Sequence, residues 1–237
     1  RLSTLTKKTI GIIGAMEPEI ELLKRAMVIE REEKLIHTTA FVGSLNQQNV
    51  VLVQSGIGKV NASIIAALMC DKYELDYLIN TGVAGALSKK LSVTDMVISN
   101  QVAHHDVDAS AFGYALGQVP GMPVAYESDS HLKDLALNIL SLNSEIKGLE
   151  GLVVSGDSFI DNNEVKNDIL TYFPDAFCVD MESSAIAQTA YQFNVPFLIL
   201  RSMSDSADDS ADMNYEEFLS KACVHSSEVV KSLLREL

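Results

Sequence analysis

The sequence predicts a single α/β domain built on a mixed, mainly parallel central sheet flanked by helices. Two observations carry that expectation. Short β-branched apolar runs recur along the chain, each followed by a segment of helical character, and continuous rather than alternating apolar runs are what strands buried on both faces require. No linker, repeat or low-complexity tract interrupts the 237 residues, a length that one large domain accommodates.

The elements follow in order. "TIGIIGA" (9 to 15) is an apolar run closed by glycine, and a helical pattern runs from Pro18 through Met27. Proline suits a first helical turn, where its missing N–H has no partner to lose. "NVVLVQSGIG" (49 to 58) is a second strand ending in glycines, followed by the helix-like "KVNASIIAALMCDKY". "YLINTGVAG" (77 to 85), "DMVISNQV" (95 to 102), "GLVVSGDSF" (151 to 159) and "PFLILRSMSD" (196 to 205) repeat the pattern. Between the last two lie "AFCVDM" and a helix from Glu182 to Phe193, and an amphipathic helix covers Tyr215 to Leu234. One domain spans 1–237. Residues 1–8 read as a disordered or tag-derived terminus, and Arg1 in place of Met leaves a cleaved signal peptide open.

Composition excludes several functions. A net charge of −14 leaves no basic patch to neutralise phosphates or dock on anionic lipid, so neither nucleic acid nor membrane is an expected partner. No apolar run reaches the roughly 18 residues that span a bilayer. Cys70, Cys178 and Cys223 lie far apart without a CxxC pair, which fits a reduced, cytoplasmic setting and neither a disulfide framework nor a zinc site.

In open sheets of this class, ligands bind beyond the carboxyl ends of the strands. Those ends carry "GAME", "SGIG", "NTGVAG", "SGDSF", "VDME" and "RSMSD", six fragments expected to converge in space. None is a nucleotide loop: Gly11 and Gly14 lack the G-x-G-x-x-G spacing, and Val60 stands where a phosphate loop needs Ser or Thr after Lys59. Tight turns, or backbone approaching a flat ligand, are both open readings of these glycines. The run "SDSADDSADM" crowds Asp205, Asp208, Asp209 and Asp212 behind a buried strand. It lacks the order of a calcium loop. Helix capping accounts for the last three but poorly for Asp205, which comes straight off the strand. His104 and His105 precede Asp106 and Asp108 without a third spaced ligand and read as surface histidines. Met16 and Met181 each sit near a glutamate at a strand end.

These residues resemble a known family. "IGIIGAMEPEI", "SGIGKVNA", "NTGVAG", "HDVDASAFGYALGQVPG", "SGDSFI", "VDMESSAIA" and "RSMSDSAD" are similar, in order and spacing, to the bacterial 5′-methylthioadenosine/S-adenosylhomocysteine nucleosidases. The wider superfamily shares its fold with nucleoside phosphorylases, so fold alone does not fix the reaction.

The resemblance implies hydrolysis of an N-glycosidic bond without metal or cofactor. It makes Asp205 the acid that protonates the leaving adenine and Glu19 the base that activates water, with Arg201 fixing Glu19. Glu182 would grip the ribose hydroxyls and Met181 pack on the ribose. Phe159 would stack on the purine, the Ile160 backbone would meet its edge, and Ala84 and Gly85 would line that side. Ser204, Ile57 and Met16 match further pocket positions. The resemblance also implies a homodimer in which 108–121, carrying Phe112, Tyr114 and Pro120, completes the partner's site. One departure stands out: Val83 occupies a place where the family often has a hydroxyl that supports the acid. Support for Asp205 is then expected from Ser204 or from backbone groups.

Overall fold

The strands form where the apolar runs are densest. In β1 (Thr9–Gly14) every residue after Thr9 is buried, and in β10 (Phe197–Asp205) every residue is buried. The computed structural model describes residues 7–237. Of the terminus expected to be disordered or tag-derived, residues 1–6 lie outside the described residues, whereas Lys8 N donates to Gln48 Oε1 at 2.9 Å.

Between these strands the order is α1 (Glu17–Ala26), β2 (Val28–Leu35), β3 (Thr38–Leu45), β4 (Gln48–Gln54), α2 (Lys59–Lys72), β5 (Tyr77–Ala86) and β6 (Met96–His104). Then come a single 3₁₀ turn at Ser110–Phe112, β7 (Tyr126–Glu127), α3 (Ser130–Ser141), β8 (Gly148–Ser155), α4 (Asn163–Tyr172), β9 (Ala176–Asp180) and α5 (Ser183–Phe193). After β10 the chain ends in α6 (Ala211–Glu236).

Among the described residues one ten-stranded sheet runs β10-β6-β8-β9-β5-β1-β4-β3-β2, with β7 on β6. The sheet is mixed. Parallel ladders join β1 to β4 and β5, β10 to β5, and β8 to β6 and β9. Because β10 also pairs β5, the strands β10, β6, β8, β9 and β5 close a circuit. Closure leaves those strands no free edge and gathers their ends around one point.

Helices cover both faces. Buried residues of α2 and α5, such as Ile65, Met69 and Ile186, pack on one face. Ile20 and Leu23 of α1, Leu132 of α3 and Leu233 of α6 pack on the other.

Three strands escape the apolar-run reading: β2, β3 and the two-residue β7. β2 is "VIEREEKL", mostly exposed and charged, as suits an edge strand that must not template further pairing. It pairs antiparallel with β3, which pairs antiparallel with β4. The β3–β4 turn places Asn46 at φ 48° and Gln47 at φ 70°, the two positive φ values of a primed hairpin turn.

Candidate active site

The α1 N-terminus builds the first functional group. Met16 is the N-cap and Glu19 the third helical residue; its Oε1 accepts from Met16 N at 3.0 Å and Ala15 N at 3.2 Å. This is the carboxylate half of a capping box, here turned inward and only 1% exposed. Glu19 Oε2 accepts from Val83 N at 2.8 Å. A Cβ on Gly82 would overlap Glu19 Oε2 and come within 2.9 Å of Arg201 Nη1, so a glycine is what lets this carboxylate lie against β5. Burial raises the pKa of Glu19, opposed by Arg201 and the three amides.

Arg201, in the middle of β10, is fully buried. Its short bonds go to neutral acceptors: Asn80 Oδ1 at 2.7 and 3.0 Å and the Val83 carbonyl at 2.8 Å. Three carboxylates stand further off, Asp180 and Glu182 at 3.3 Å and Glu19 at 3.7 Å. Burial alone would lower the guanidinium pKa, but these acids together raise it.

Glu182 is the N-cap of α5, 4% exposed. Its Oε2 accepts from Gly58 N at 2.9 Å. Gly58 holds φ at 96°, a conformation that favours glycine. Burial pushes the Glu182 pKa up, with Arg201 opposing and Asp180 and Glu19 adding to the rise.

Asp205 ends β10, where the register against β5 shifts between Met203 and Asp205. Such an irregularity re-aims a side chain. Ser204 Oγ donates to Asp205 Oδ2 at 2.9 Å and Ala207 N to Oδ1 at 2.8 Å. Burial raises the Asp205 pKa to about 6 against those two donors, with Asp208 adding a smaller push. Of the crowded aspartates, Asp208 accepts from Ser210 N and Oγ, and Asp209 accepts from Asn163 N at the start of α4. Asp208 thus caps local backbone and Asp209 a helix 46 positions away, whereas Asp212 lies within the first turn of α6, whose N-cap is Ser210.

The six fragments meet around one cavity of about 420 Å³. Met16, Glu19, Ile57, Ala84 and Gly85 line it, as do Phe159, Met181, Glu182, Arg201, Ser204 and Asp205. Ile160 is buried beside a small adjoining space shared with Gly85 and Asp205. Phe159 is 45% exposed at the rim, edge-on to Tyr215 with ring centres 5.7 Å apart.

Six lining residues, Ala15, Val179, Asp180, Asp212, Tyr215 and Glu216, were not marked as site positions by the sequence. Asp180 sits beside Met181, and Asp212, Tyr215 and Glu216 come from α6, which starts at Ala211 rather than Tyr215. Phe112, Tyr114 and Pro120 do not line this cavity; Phe112 is 84% exposed on the 3₁₀ turn. The surface reading of the histidines is corrected for His104. It is buried at the end of β6, bonded to Ser184 Oγ and Gln188 Oε1 at 2.8 Å each. Among the described residues, no group of three or more His, Cys, Asp or Glu side chains is placed to hold a metal. No helix among them is long and apolar enough to cross a membrane.

Comparison with known proteins gives the class first. The model of the Phosphorylase superfamily matches residues 9–235. A 5′-methylthioadenosine/S-adenosylhomocysteine nucleosidase from Staphylococcus epidermidis is 48% identical over 228 residues, which cover 96% of this chain and 100% of the relative. The Neisseria meningitidis nucleosidase of the same name, solved with methylthio-immucillin-A, superposes with a TM-score of 0.95 at 43% identity, covering 97% of this chain and 100% of the other. The Colwellia psychrerythraea 34H nucleosidase, solved with adenine, gives a TM-score of 0.95 at 39% identity, covering 98% and 96%. The chain belongs to the phosphorylase superfamily and, within it, to the 5′-methylthioadenosine/S-adenosylhomocysteine nucleosidases.

Proposed function

We propose that the protein hydrolyses the N-glycosidic bond of 5′-methylthioadenosine and S-adenosylhomocysteine, releasing adenine and the 5′-thio-substituted ribose. The observation that carries this reading is the pairing, in one cavity, of a buried aspartate with its pKa raised to about 6 and a glutamate held by three amides. The first can deliver a proton near neutral pH, and the second is an oriented acceptor.

The roles follow from chemistry. Asp205 gives its proton to N7 of the purine, so the C1′–N9 bond breaks with its electron pair going to a neutral leaving base. Positive charge develops on the ribose, where the Glu182 carboxylate accepts from the 2′- and 3′-hydroxyls and stabilises the cation. Glu19 takes a proton from water as its oxygen bonds to C1′. Arg201 fixes Glu19. Phe159 covers the purine, and Met181 packs on the ribose. No step needs a metal or cofactor.

A phosphorylase would use phosphate in place of water. Among the described lining residues the one cation is Arg201, already shared by three carboxylates, while Asp205, Asp212 and Glu216 add further acids. A phosphate dianion would meet repulsion there. 5′-Deoxyadenosine shares the purine and ribose and belongs to the substrate set to be assayed.

The protein is further read as a cytoplasmic homodimer serving methionine salvage, with segment 108–121 completing the partner's 5′-alkylthio pocket. Exposed Phe112, together with exposed Val60 and Ile64 one turn apart on α2, supports an apolar contact. The deciding assay is adenine release from each nucleoside in phosphate-free buffer and in phosphate, with ¹⁸O-water. Equal rates and label in the sugar product are expected. Phosphate-dependent release with a sugar 1-phosphate as product would overturn the reading.

A further inference from the structure

Arg201 is bonded in an unusual way. A guanidinium beside carboxylates ordinarily pairs with them at about 2.7–2.9 Å, often through two parallel bonds. Here the short bonds go to the neutral oxygens of Asn80 and Val83, and all three carboxylates are held off at 3.3 Å or more. Each carboxylate faces a different part of the fork: Asp180 at Nε, Glu182 at Nη2 and Glu19 at Nη1. One positive charge is divided three ways, and Glu182 keeps acceptor capacity for a ligand.

Asp180 is the member of this set with no place in the reaction. Its side chain is 2% exposed, and it is the most heavily bonded of the three. Oδ1 accepts from Ser155 Oγ at 2.5 Å, Ser183 N at 3.1 Å and Glu182 N at 3.2 Å, and Ser183 Oγ donates to Oδ2. Ser155 Oγ in turn accepts from Ser184 N at 2.9 Å. Asp180 therefore braces the backbone of the turn that presents Glu182 and also occupies the Nε side of Arg201. Unit charges at such distances interact strongly in a site without water, so removing one carboxylate lets the cation settle on the other two.

We propose that Asp180 is a positioning residue for ribose binding: by bracing the Glu182 turn and holding the Nε side of Arg201, it keeps Glu182 from collapsing into a tight ion pair and so leaves it free for the ribose hydroxyls. This rests on the assignment of Glu182 to the ribose, and the test separates the two.

The variant is Asp180→Asn, which keeps the shape and removes the charge. Dissociation constants are measured by calorimetry for adenine, which has no ribose, and for a non-hydrolysable 5′-methylthio nucleoside. The nucleoside should weaken roughly ten- to hundredfold, the range that losing a hydrogen bond to a charged group gives, and adenine should stay within about twofold. Ser155→Ala, which loosens Asp180 but keeps its charge, should show the same pattern at smaller size, and it decides the question if Asp180→Asn does not fold. In a Glu182→Ala background, Asp180→Asn should weaken the nucleoside little further, since the cycle is non-additive for residues acting through one another. Equal loss of adenine and nucleoside, unchanged nucleoside binding, or an additive cycle would overturn the proposal. A wild-type protein that binds the nucleoside and releases no adenine would sink the proposed reaction and leave these binding comparisons valid.

Discussion

Ser204 Oγ donates to Asp205 Oδ2 at 2.9 Å from the adjacent position of the same strand. Together with Ala207 N it supplies the support that a hydroxyl at position 83 would otherwise give. Val83 itself lines the cavity, packs with Ala222 and Cys223 of α6, and bonds Glu19 and Arg201 through its backbone. Asp205→Asn keeps an acceptor for Ala207 N but cannot release a proton to the purine. Turnover should fall by about 10²–10⁴-fold, as loss of a general acid does, with nucleoside binding within a few-fold of wild type. Near-wild-type turnover would remove Asp205 from the acid role.

The same carboxyl links pH to stability. Its pKa rises from an ordinary 3.8 to about 6 on folding, so the native state binds the proton more tightly than the unfolded chain. That contribution is complete below about pH 4 and is lost as pH rises through about 6. At pH 8 the buried anion weighs against the fold by up to about 3 kcal/mol, taking ~1.4 kcal/mol per unit. Asp205→Asn does not titrate. It should therefore raise the melting temperature relative to wild type more at pH 8 than at pH 5. A difference independent of pH would show that Asp205 does not carry this linkage.

Glu19 and Glu182 share Arg201 but should fail differently. Glu19→Gln keeps a side chain of the same shape among its amides, so the nucleoside still binds while the chemical step is lost. Glu182→Ala removes the ribose contact, so KM rises and kcat falls together. Single-turnover kinetics alongside binding measurements separate the two. Matching defects in both variants would end this division of labour.

Gly82 lies directly against Glu19. A methyl group there would overlap Glu19 Oε2 and crowd Arg201 Nη1, so the carboxylate would have to give up the position in which the three amides hold it. Gly82→Ala should displace Glu19, lowering kcat at least tenfold, with an overpacking cost of roughly 1–3 kcal/mol. The check is kcat read beside the melting temperature. A folded, fully active variant would mean that Glu19 tolerates a shift.

What the sequence made legible follows from physics. β1, β4, β5 and β10 announced themselves because strands covered on both faces need unbroken apolar runs. β2 did not, because "VIEREEKL" answers the opposite need of an exposed edge. The Asn46–Gln47 turn lacks the glycine that usually marks its type. Asp205 stood out as an acid directly behind a buried strand, whereas Glu19 and Glu182, at the starts of α1 and α5, were picked out through the family resemblance. Asp180 was not, since its role depends on which donors surround it in space. Tyr215 was read as the opening of the last helix, whereas its contact with Phe159 depends on how α6 packs across the strand ends. His104 opens the polar stretch "HHDVDAS", yet it is buried by α5 residues from far along the chain.

Segment 108–121 is held in place by its own hydrogen bonds. Asp108 Oδ1 accepts from Ser110 N and Oγ, and Gly117 N donates to the Val107 carbonyl at 2.8 Å. The segment is thus tied down at its base while Phe112 projects, 84% exposed. An aromatic ring left in water on a held loop forgoes roughly 2 kcal/mol or more of burial, which a partner subunit would recover. A methylthio or homocysteinyl tail needs an apolar slot, and a 5′-hydroxyl does not. Phe112→Ala should therefore raise KM for 5′-methylthioadenosine several-fold while changing adenosine turnover little, and wild type should sediment as a dimer at micromolar concentration. Mixing Phe112→Ala with an inactive Asp205→Asn chain makes the test specific. Mixed dimers hold one site with an intact Asp205 and a partner-supplied Phe112, so part of the wild-type KM behaviour should return. A monomer with full activity, or no recovery on mixing, would place Phe112 outside the site.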